Sequence, residues 1–437
     1  MAGLRQTWLT HITTSMAVIC RARNLGLGFA FPSITMSAAR RAQGMNEIKT
    51  ALRGEVSGFA DDPRMSQTLP AAIYTSQKIF EFEIEKIFAK TWQFIGHKND
   101  FREPGDFVTK EIGRDSVIVL RDREGELRAF HNVCRHRAHR LVSEKRGSLK
   151  VVITCPYHSW AYGLDGGLRP NSVKSDVYGF DPSKIALVPV RVEEYGSFVF
   201  INLDDDAPTM VEHCKGYDER LRSHFRDIDR PKHHSTMVYD VDCNWKVVMD
   251  NGIDAYHLGI SGPHHQVFNR MCDFKNGRQI ADDVSLALIG GPGDPNNEGY
   301  SFANKPDFWQ SENFIDDLLF PAVFFLTFPY TDIIYVFDVI PVSAQTCRIE
   351  MLYYCVADEL DETSLGAIRY MNEDLGPEDV DLNVGVQQGL NSRAYDAGRF
   401  MVDTAAGYDG EQLIHHFYRL WLAAFSDEDR ARVLVMD

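Results

Sequence analysis

Two short stretches of the sequence each place a cysteine just before a histidine. They read Cys134-Arg-His136 and Cys155-Pro-Tyr-His158, and eighteen residues separate them. A single zinc ion could bind all four side chains, because thiolate and imidazole are its usual ligands. Zinc-binding sequences, however, usually group Cys with Cys and His with His. The repeated Cys-then-His order favours a [2Fe–2S] cluster held between two loops, whose two imidazoles raise its reduction potential above that of an all-cysteine cluster.

A second group of polar side chains follows Asn244, where a segment with helical spacing begins. Asp250, Asn251, Asp254 and His257 all lie within this segment. Asp254 and His257 are three positions apart, so a helix would place them on one face. Acidic side chains beside a histidine are costly in a core but well suited to a metal site. The pattern therefore predicts a second metal centre that includes His257.

The remaining sequence indicates the elements that position these residues. Short alternating segments with Gly and Asp between them fill residues 107–203 and predict a small antiparallel β domain. Residues 314–341 are rich in Phe, Tyr, Val and Ile and are broken by prolines, which predicts adjacent strands of a central sheet. Apolar spacing of three and four residues predicts helices over residues 80–92, 245–257, 377–392 and 410–425.

The sequence around the Cys–His stretches resembles the Rieske domain of ring-hydroxylating oxygenase large (α) subunits. The resemblance covers residues 68–425. It rests on the two stretches and on flanking motifs: Tyr74, Thr91-Trp92, Gly96-His97, Trp160, Leu164-Asp165-Gly166, Tyr195-Gly196 and Asn202-Leu203. It implies an α+β fold, with an N-terminal antiparallel β Rieske domain and a C-terminal catalytic domain whose central antiparallel sheet is flanked by helices.

The resemblance also implies a mononuclear Fe(II) bound by two histidines and one carboxylate, with open positions for O₂ and substrate. His257 is the first expected ligand. The family usually places the second histidine shortly afterwards, at a position that Gly262 occupies here. His264 and His265 are therefore the candidates for the second ligand, with a slight preference for His264.

The third expected ligand is Asp379, which lies eight residues before Gln387 in a segment similar to a late helix of the family. Glu378 and Asp381 would point elsewhere on that helix and are expected to face solvent.

The family resemblance gives Asp254 a bridging role between the two metal sites. In a homotrimer, its carboxylate would accept hydrogen bonds from His257 and from His136 or His158 of a neighbouring subunit, and so couple the cluster to the iron. Asn251 would lie nearby and help to position O₂ or substrate.

Electrons are expected to come from NAD(P)H through a separate reductase, with or without a ferredoxin, because the chain has no dinucleotide-binding glycine motif. A β subunit is a further partner in some members of the family. The formal net charge of −16 argues against nucleic acid as a partner, and no apolar run reaches the about 18 residues of a membrane span. The histidines that follow Cys134 and Cys155 favour a metal and a reducing compartment, so the cytoplasm is expected.

The expected domain organisation has four parts. Residues 1–44 contain no Asp or Glu and several arginines, so they read as a disordered transit-like extension or, in preference, as the product of an upstream start codon. Residues 45–95 would form a lead-in helix that packs on the catalytic domain. Residues 96–204 would form the Rieske domain, and residues 205–437 the catalytic domain with the mononuclear iron.

Three functions are compatible with these sites. The first is hydroxylation or dihydroxylation of an aromatic compound, including an aromatic carboxylate, because the Phe-rich segment 320–328 could line an apolar pocket. The second is oxidative demethylation or hydroxylation of a quaternary ammonium compound such as a betaine, which aromatic side chains can also bind. The third is a non-catalytic Rieske electron carrier, against which the second metal site argues.

Overall fold

The structure is a computed structural model that describes residues 58–173, 176–293, 308–403, 410–426 and 428–430. The extension expected over residues 1–44 lies outside this range. Within it, the fold is α+β, as expected, with two seven-stranded antiparallel sheets and helices around the second one. None of the helices described is both long and apolar enough to cross a membrane.

The described chain begins with two short helices that bury an apolar face. They are α1 (Ala72–Thr75) and α2 (Gln77–Glu83), and a π-helical turn (Ile84–Phe88) extends the second one. The Ser76 side chain accepts a hydrogen bond from the backbone N–H of Ile79 and so begins α2. The helix predicted as far as residue 92 ends at Phe88, whose ring contacts the Trp245 ring at 4.9 Å between centroids.

The first sheet has the strand order β1-β9-β8-β4-β3-β2-β5. A separate hairpin, β6–β7, lies beside it. The Cys134 stretch lies between β4 and β5, and the Cys155 stretch joins β6 to β7. The strand bounds are β1 Gln93–His97, β2 Asp106–Ile112, β3 Asp115–Arg121, β4 Leu127–His131, β5 Arg146–Ser148, β6 Val152–Thr154, β7 Ala161–Gly163, β8 Pro189–Tyr195 and β9 Phe198–Asn202.

The second sheet has the order β10-β16-β15-β14-β13-β12-β11. Its strand bounds are β10 Lys232–Val241, β11 Asp273–Ala281, β12 Ser285–Pro292, β13 Asn313–Leu319, β14 Val323–Thr327, β15 Ile334–Ser343 and β16 Thr346–Cys355. The predicted adjacent strands over residues 314–341 are confirmed as β13, β14 and β15. Because side chains alternate along a strand, Phe324 packs on one side of this sheet and Phe325 on the other.

Seven further helices that the structure describes pack around the second sheet. They are α3 Met210–His213, α4 Tyr217–His224, α5 Trp245–Gly252, α6 Pro263–Met271, α7 Glu362–Arg369, α8 Gly376–Leu390 and α9 Gln412–Ala423. The single helix predicted over residues 245–257 is wrong at its end, because α5 stops at Gly252 and a 3₁₀ turn (Tyr256–Gly259) follows. Glycine disfavours helix continuation, and a Cβ at this position would lie 2.7 Å from the Phe324 ring.

A buried ionic cluster joins α2, α5 and α9. The Glu83 carboxylate accepts hydrogen bonds from Lys246 Nζ at 2.6 Å, Trp245 Nε1 at 2.9 Å and Trp421 Nε1 at 2.8 Å. Glu83 and Lys246 are both fully buried. A buried charge is tolerated when it is paired and hydrogen-bonded, so this cluster fixes the position of α5 relative to helices far away in sequence.

Replacing Glu83 with Gln preserves the shape of the side chain but leaves the Lys246 ammonium without its counter-charge. We expect Glu83→Gln to lower the free energy of unfolding by about 3 kcal/mol or more, measured from the denaturant midpoint by fluorescence. Glu85→Gln is the matched control, because the Glu85 side chain is 69% exposed and exposed ion pairs contribute less than about 1 kcal/mol. Equal shifts in the two variants would contradict the structural role of the buried pair.

Candidate metal centres

The two Cys–His loops meet at one end of the first domain. Cys134 and Cys155 are buried, and neither forms a disulfide. His136 and His158 are exposed, and their ring centroids lie 4.6 Å apart. The structure therefore brings all four predicted residues together, with two thiols on the inside and two imidazoles on the outside. Two thiols and two imidazoles are the ligand set of a Rieske [2Fe–2S] cluster, so the residues fit this group.

Both loops use the same backbone turn. In each loop the cysteine C=O accepts an N–H four residues later, from Ala138 or from Ser159, at 3.0 Å. Ala138 and Ser159 both have a left-handed backbone, with φ of 58° and 59°. Residues other than glycine seldom adopt this conformation. Its presence at the same point of both loops therefore marks a defined turn that the two loops share. The Tyr162 hydroxyl, which sequence reasoning missed, lies 3.3 Å from Cys134 Sγ and provides a polar contact to the sulfur.

The second group of predicted ligands converges beside the second sheet. His257, His265 and Asp379 each offer one ligand atom, and these three atoms lie within 4.8 Å of one another. Asp379 Oδ1 is 2.9 Å from His265 Nε2 and 4.0 Å from His257 Nε2. The 3₁₀ turn after α5 carries His257, α6 carries His265, and α8 carries Asp379. Two imidazoles and one carboxylate fit a mononuclear non-haem Fe(II).

A second carboxylate orients each of the two histidines. His257 Nδ1 donates to Asp254 at 2.9 Å, and His265 Nδ1 donates to Glu378 at 2.8 Å. With Nδ1 engaged in this way, each Nε2 is left to face Asp379. Asp254 and His257 thus form the predicted pair, although the two residues do not share one α-helix.

The structure corrects the expectation that Glu378 faces solvent. Besides binding His265 Nδ1, its carboxylate accepts the backbone N–H groups of His264 and His265 at 3.2 and 3.1 Å, at the N-terminus of α6. The N-terminal N–H groups of a helix lack partners inside the helix and attract a negative charge. Pro263 indicates in the sequence that a helix begins there and that its first N–H groups could bind a carboxylate. The sequence does not indicate which carboxylate binds them.

The slight preference for His264 is also corrected. The His264 ring is partly exposed and lies 3.8 Å from Asp374, while His265 is buried and joins the ligand group. Gly262 explains the difference, because its left-handed backbone lets α6 begin directly afterwards. A Cβ at Gly262 would lie 2.4 Å from the Glu378 carboxylate, so glycine also makes room for that contact.

The polar side chains at the end of α5 and just after it face two different surroundings. Asp250 points away from the metal centre and accepts hydrogen bonds from the hydroxyls of Tyr74 and Tyr418. Burial raises the pKa of Asp250 to about 7, and the two hydroxyls oppose this shift. Asn251, by contrast, lines the cavity beside the metal centre together with Asp254.

This cavity lies between the second sheet and helices α5, α6 and α8 and has a volume of about 100 Å³. Most of its lining is apolar. The Phe-rich segment contributes to it as expected, through Phe324 and Phe328, whereas Phe325 faces the other side of the sheet. The aromatic side chains that line the cavity are Tyr239, Phe268, Phe314, Phe324, Phe328 and Phe337.

Comparison with known families agrees with both centres. Residues 91–180 match the Rieske [2Fe-2S] domain, and residues 228–427 match the ring hydroxylating alpha subunit (catalytic domain). A cluster domain followed by a mononuclear iron domain defines an O₂-incorporating oxidoreductase. The chain belongs to the Rieske-type non-haem iron oxygenases, as a large (α) subunit. It therefore has a Rieske [2Fe–2S] domain and a catalytic domain of the family that binds mononuclear iron, and the alternative of a non-catalytic carrier is wrong.

Curated relatives cover most of the chain. The oxygenase subunit of carnitine monooxygenase from Escherichia coli (strain K12) is 33% identical over 375 residues, which are 84% of this chain and 96% of the relative. Chloroplastic choline monooxygenase from Beta vulgaris is 30% identical over 373 residues, which are 82% of this chain and 77% of the relative.

Solved structures share the fold. The quaternary ammonium Rieske monooxygenase CntA in complex with L-carnitine is 31% identical, with a TM-score of 0.75 over 84% of this chain and 98% of that chain. A naphthalene 1,2-dioxygenase mutant bound to phenanthrene is 21% identical, with a TM-score of 0.69 over 84% and 95%. At this lower identity, the second likeness shows the fold alone.

The position of His265 generates a direct test of the ligand set. We expect His265→Ala to lower the iron content from about three to about two per chain, the number the cluster alone holds, without changing the visible absorption of the cluster. His264→Ala is the matched control and should keep all three irons, because its ring lies outside the ligand group. Iron analysis of the two purified variants decides between them, and loss of iron from the His264 variant alone would reverse the assignment.

Proposed function

We propose that the protein is the terminal oxygenase component of a multicomponent system and that it hydroxylates or demethylates a small quaternary ammonium compound. The observation that carries this proposal is the similarity, along more than four fifths of the chain, to monooxygenases named for carnitine and choline. Both of these compounds carry a trimethylammonium group. An aromatic substrate, the first expectation from the sequence, has only a likeness of fold in its favour.

The cavity supports a quaternary ammonium substrate. Six aromatic side chains line it, and aromatic faces attract cations that cannot donate hydrogen bonds. Asn251 also lines this space, and we expect its amide to help position O₂ or the substrate.

The roles proposed for the metal-binding residues follow from their contacts. Cys134, His136, Cys155 and His158 would hold the cluster. His257, His265 and Asp379 would hold the mononuclear iron. When bound, the two metal groups supply electron storage and O₂ activation.

Transfer between the two centres is proposed to occur between subunits of a homotrimer. Asp254 is only partly buried, and the apolar side chains of Tyr256 and Ile260 are exposed beside it. Tyr157, next to the exposed His158, is also exposed. The loop that carries Tyr157 and His158 in one subunit would cover the surface around Asp254 in the next subunit. Asp254 would then accept a hydrogen bond from a cluster histidine of the covering subunit. Inter-subunit electron transfer is described for a solved quaternary ammonium Rieske monooxygenase. A reductase, with or without a ferredoxin, would supply the electrons.

Replacing Asp254 with Asn tests this bridge. The amide is nearly isosteric, so we expect both metal contents to stay unchanged. It carries no negative charge to stabilise the neighbouring imidazoles, so reoxidation of the reduced cluster with O₂ and substrate should slow by about 10- to 100-fold. Stopped-flow absorbance of the cluster measures this rate. Asp240→Asn, at a side chain 71% exposed, is the control, and a near-normal rate in the Asp254 variant would exclude the bridge.

The substrate class is tested with purified protein, a surrogate reductase and NADH. Choline, L-carnitine, γ-butyrobetaine and benzoate are compared by O₂ uptake and product mass. We expect at least one quaternary ammonium compound to gain oxygen or to lose a carbon–nitrogen bond in proportion to the O₂ consumed, and benzoate to stay unchanged. Turnover of benzoate alone would refute the proposed function.

A further inference from the structure

Two neighbouring acids on β13, Asp316 and Asp317, face opposite sides of the second sheet because side chains alternate along a strand. Asp317 is fully buried and accepts two hydrogen bonds from Arg220, from Nε at 3.0 Å and from Nη2 at 2.7 Å. His224 lies 3.2 Å from the same carboxylate. Arg220 therefore supplies the cation that burial of this carboxylate requires.

Asp316 lies on the cavity side, and no described Lys or Arg forms an ion pair with it. Asp316 is 7% exposed. Its Oδ1 is buried and has no hydrogen-bond partner among the residues that the structure describes. Leu288 and Leu326 are its neighbours on the two adjacent strands. Burial, followed by the charges of Asp317 and Asp379, raises the pKa of Asp316 well above its usual value.

Other buried acids show that the lack of a partner is informative. Glu83 is paired with Lys246, and Asp338 is paired with Lys110. Asp250, which has no directly bonded cation, accepts hydrogen bonds from the Tyr74 and Tyr418 hydroxyls. Among the described residues, Asp316 Oδ1 has neither kind of partner. Burying a carboxylate without a partner costs several kcal/mol, so its position in the wall of a ligand cavity points to a cation that arrives with the ligand.

Three carboxylates line the cavity, those of Asp254, Asp316 and Asp379. Of these, Asp379 would bind the iron and Asp254 holds His257. None of the described lining residues is Lys or Arg. A ligand with a positive group would favour the ionised form of Asp316, which burial alone disfavours, and would also meet aromatic faces. A ligand carboxylate would find no cationic side chain among those residues.

We propose that Asp316 binds the cationic head of the substrate and that the cavity selects ligands of net positive charge, such as a quaternary ammonium alcohol, over zwitterions that also carry a carboxylate. This inference rests on the proposed oxidation of a quaternary ammonium compound and narrows its substrate class. Asp316 is a specificity-determining residue in this role. The metal ligands His257, His265 and Asp379 are separate from it.

The test compares two ligands that differ only in charge. Choline and its neutral carbon isostere, in which a tert-butyl group replaces the trimethylammonium group, are titrated calorimetrically into the anaerobic holoenzyme. We expect the wild type to prefer choline by about tenfold or more, and Asp316→Asn to lose most of that preference, mainly through weaker binding of choline. Asp358→Asn, which removes an equal charge at a side chain 82% exposed, should leave the preference unchanged.

Thermal unfolding separates this role from a structural one. Because Asp316 Oδ1 has no hydrogen bond to lose within the described residues, Asp316→Asn and Asp316→Leu should unfold at the same temperature as the wild type or at a higher one. Both variants should retain three irons per chain. A lower unfolding temperature in both variants would mean that Asp316 supports the fold instead of the ligand, and would overturn the proposal.

A third ligand tests selectivity by net charge. L-Carnitine should bind the wild type more weakly than choline, and Asp316→Asn should narrow that difference. Two results would overturn the inference even if choline and L-carnitine are both oxidised. One is equal binding of choline and L-carnitine by the wild type. The other is a preference for choline over the isostere that stays unchanged in Asp316→Asn. Binding of choline without oxidation of any quaternary ammonium compound would refute the proposed function and leave the Asp316 contact intact.

Discussion

The position of the catalytic centre depends on a buried charge that lies outside it. Glu83 joins the helices at both ends of the described chain to α5 by accepting hydrogen bonds from Lys246, Trp245 and Trp421. One turn further along α5, Asp250 accepts hydrogen bonds from the Tyr74 hydroxyl on α1 and the Tyr418 hydroxyl on α9. With one side of α5 held in this way, the chain that leaves it carries a metal ligand to a defined place on the sheet.

The catalytic centre itself uses carboxylates in distinct ways. Asp379 is placed to bind the iron, while Asp254 and Glu378 hold the outer nitrogens of the two histidines. Glu378 also satisfies the start of α6, so one side chain links helix formation to ligand orientation. The adjacent strand β13 adds Asp316, whose Oδ1 has no hydrogen-bond partner in the described part of the chain. Each carboxylate therefore has a role that its surroundings define, although their chemistry is the same.

The sequence predicted the features that depend on local spacing, and it missed those that depend on long-range packing. The Cys134 and Cys155 stretches fold as local turns, so their spacing alone indicated a cluster. The choice between His264 and His265 depends on where α6 begins, which Gly262 and the distant Glu378 decide together. The early end of α5 likewise reflects the approach of the Phe324 ring to Gly252. A single sequence shows neither contact.

The arrangement of the cluster loops has a consequence for the durability of the enzyme. A protein that activates O₂ must protect its electron-storing cluster from oxidative damage. The cysteine sulfurs are the ligand atoms that oxidants attack. Cys134 and Cys155 lie beneath the surface, while the imidazoles of His136 and His158 form the exposed tip. Redox partners can thus contact the imidazoles, which resist oxidation. The route of electron exchange is therefore separate from the two cysteine sulfurs, whose oxidation would destroy the cluster.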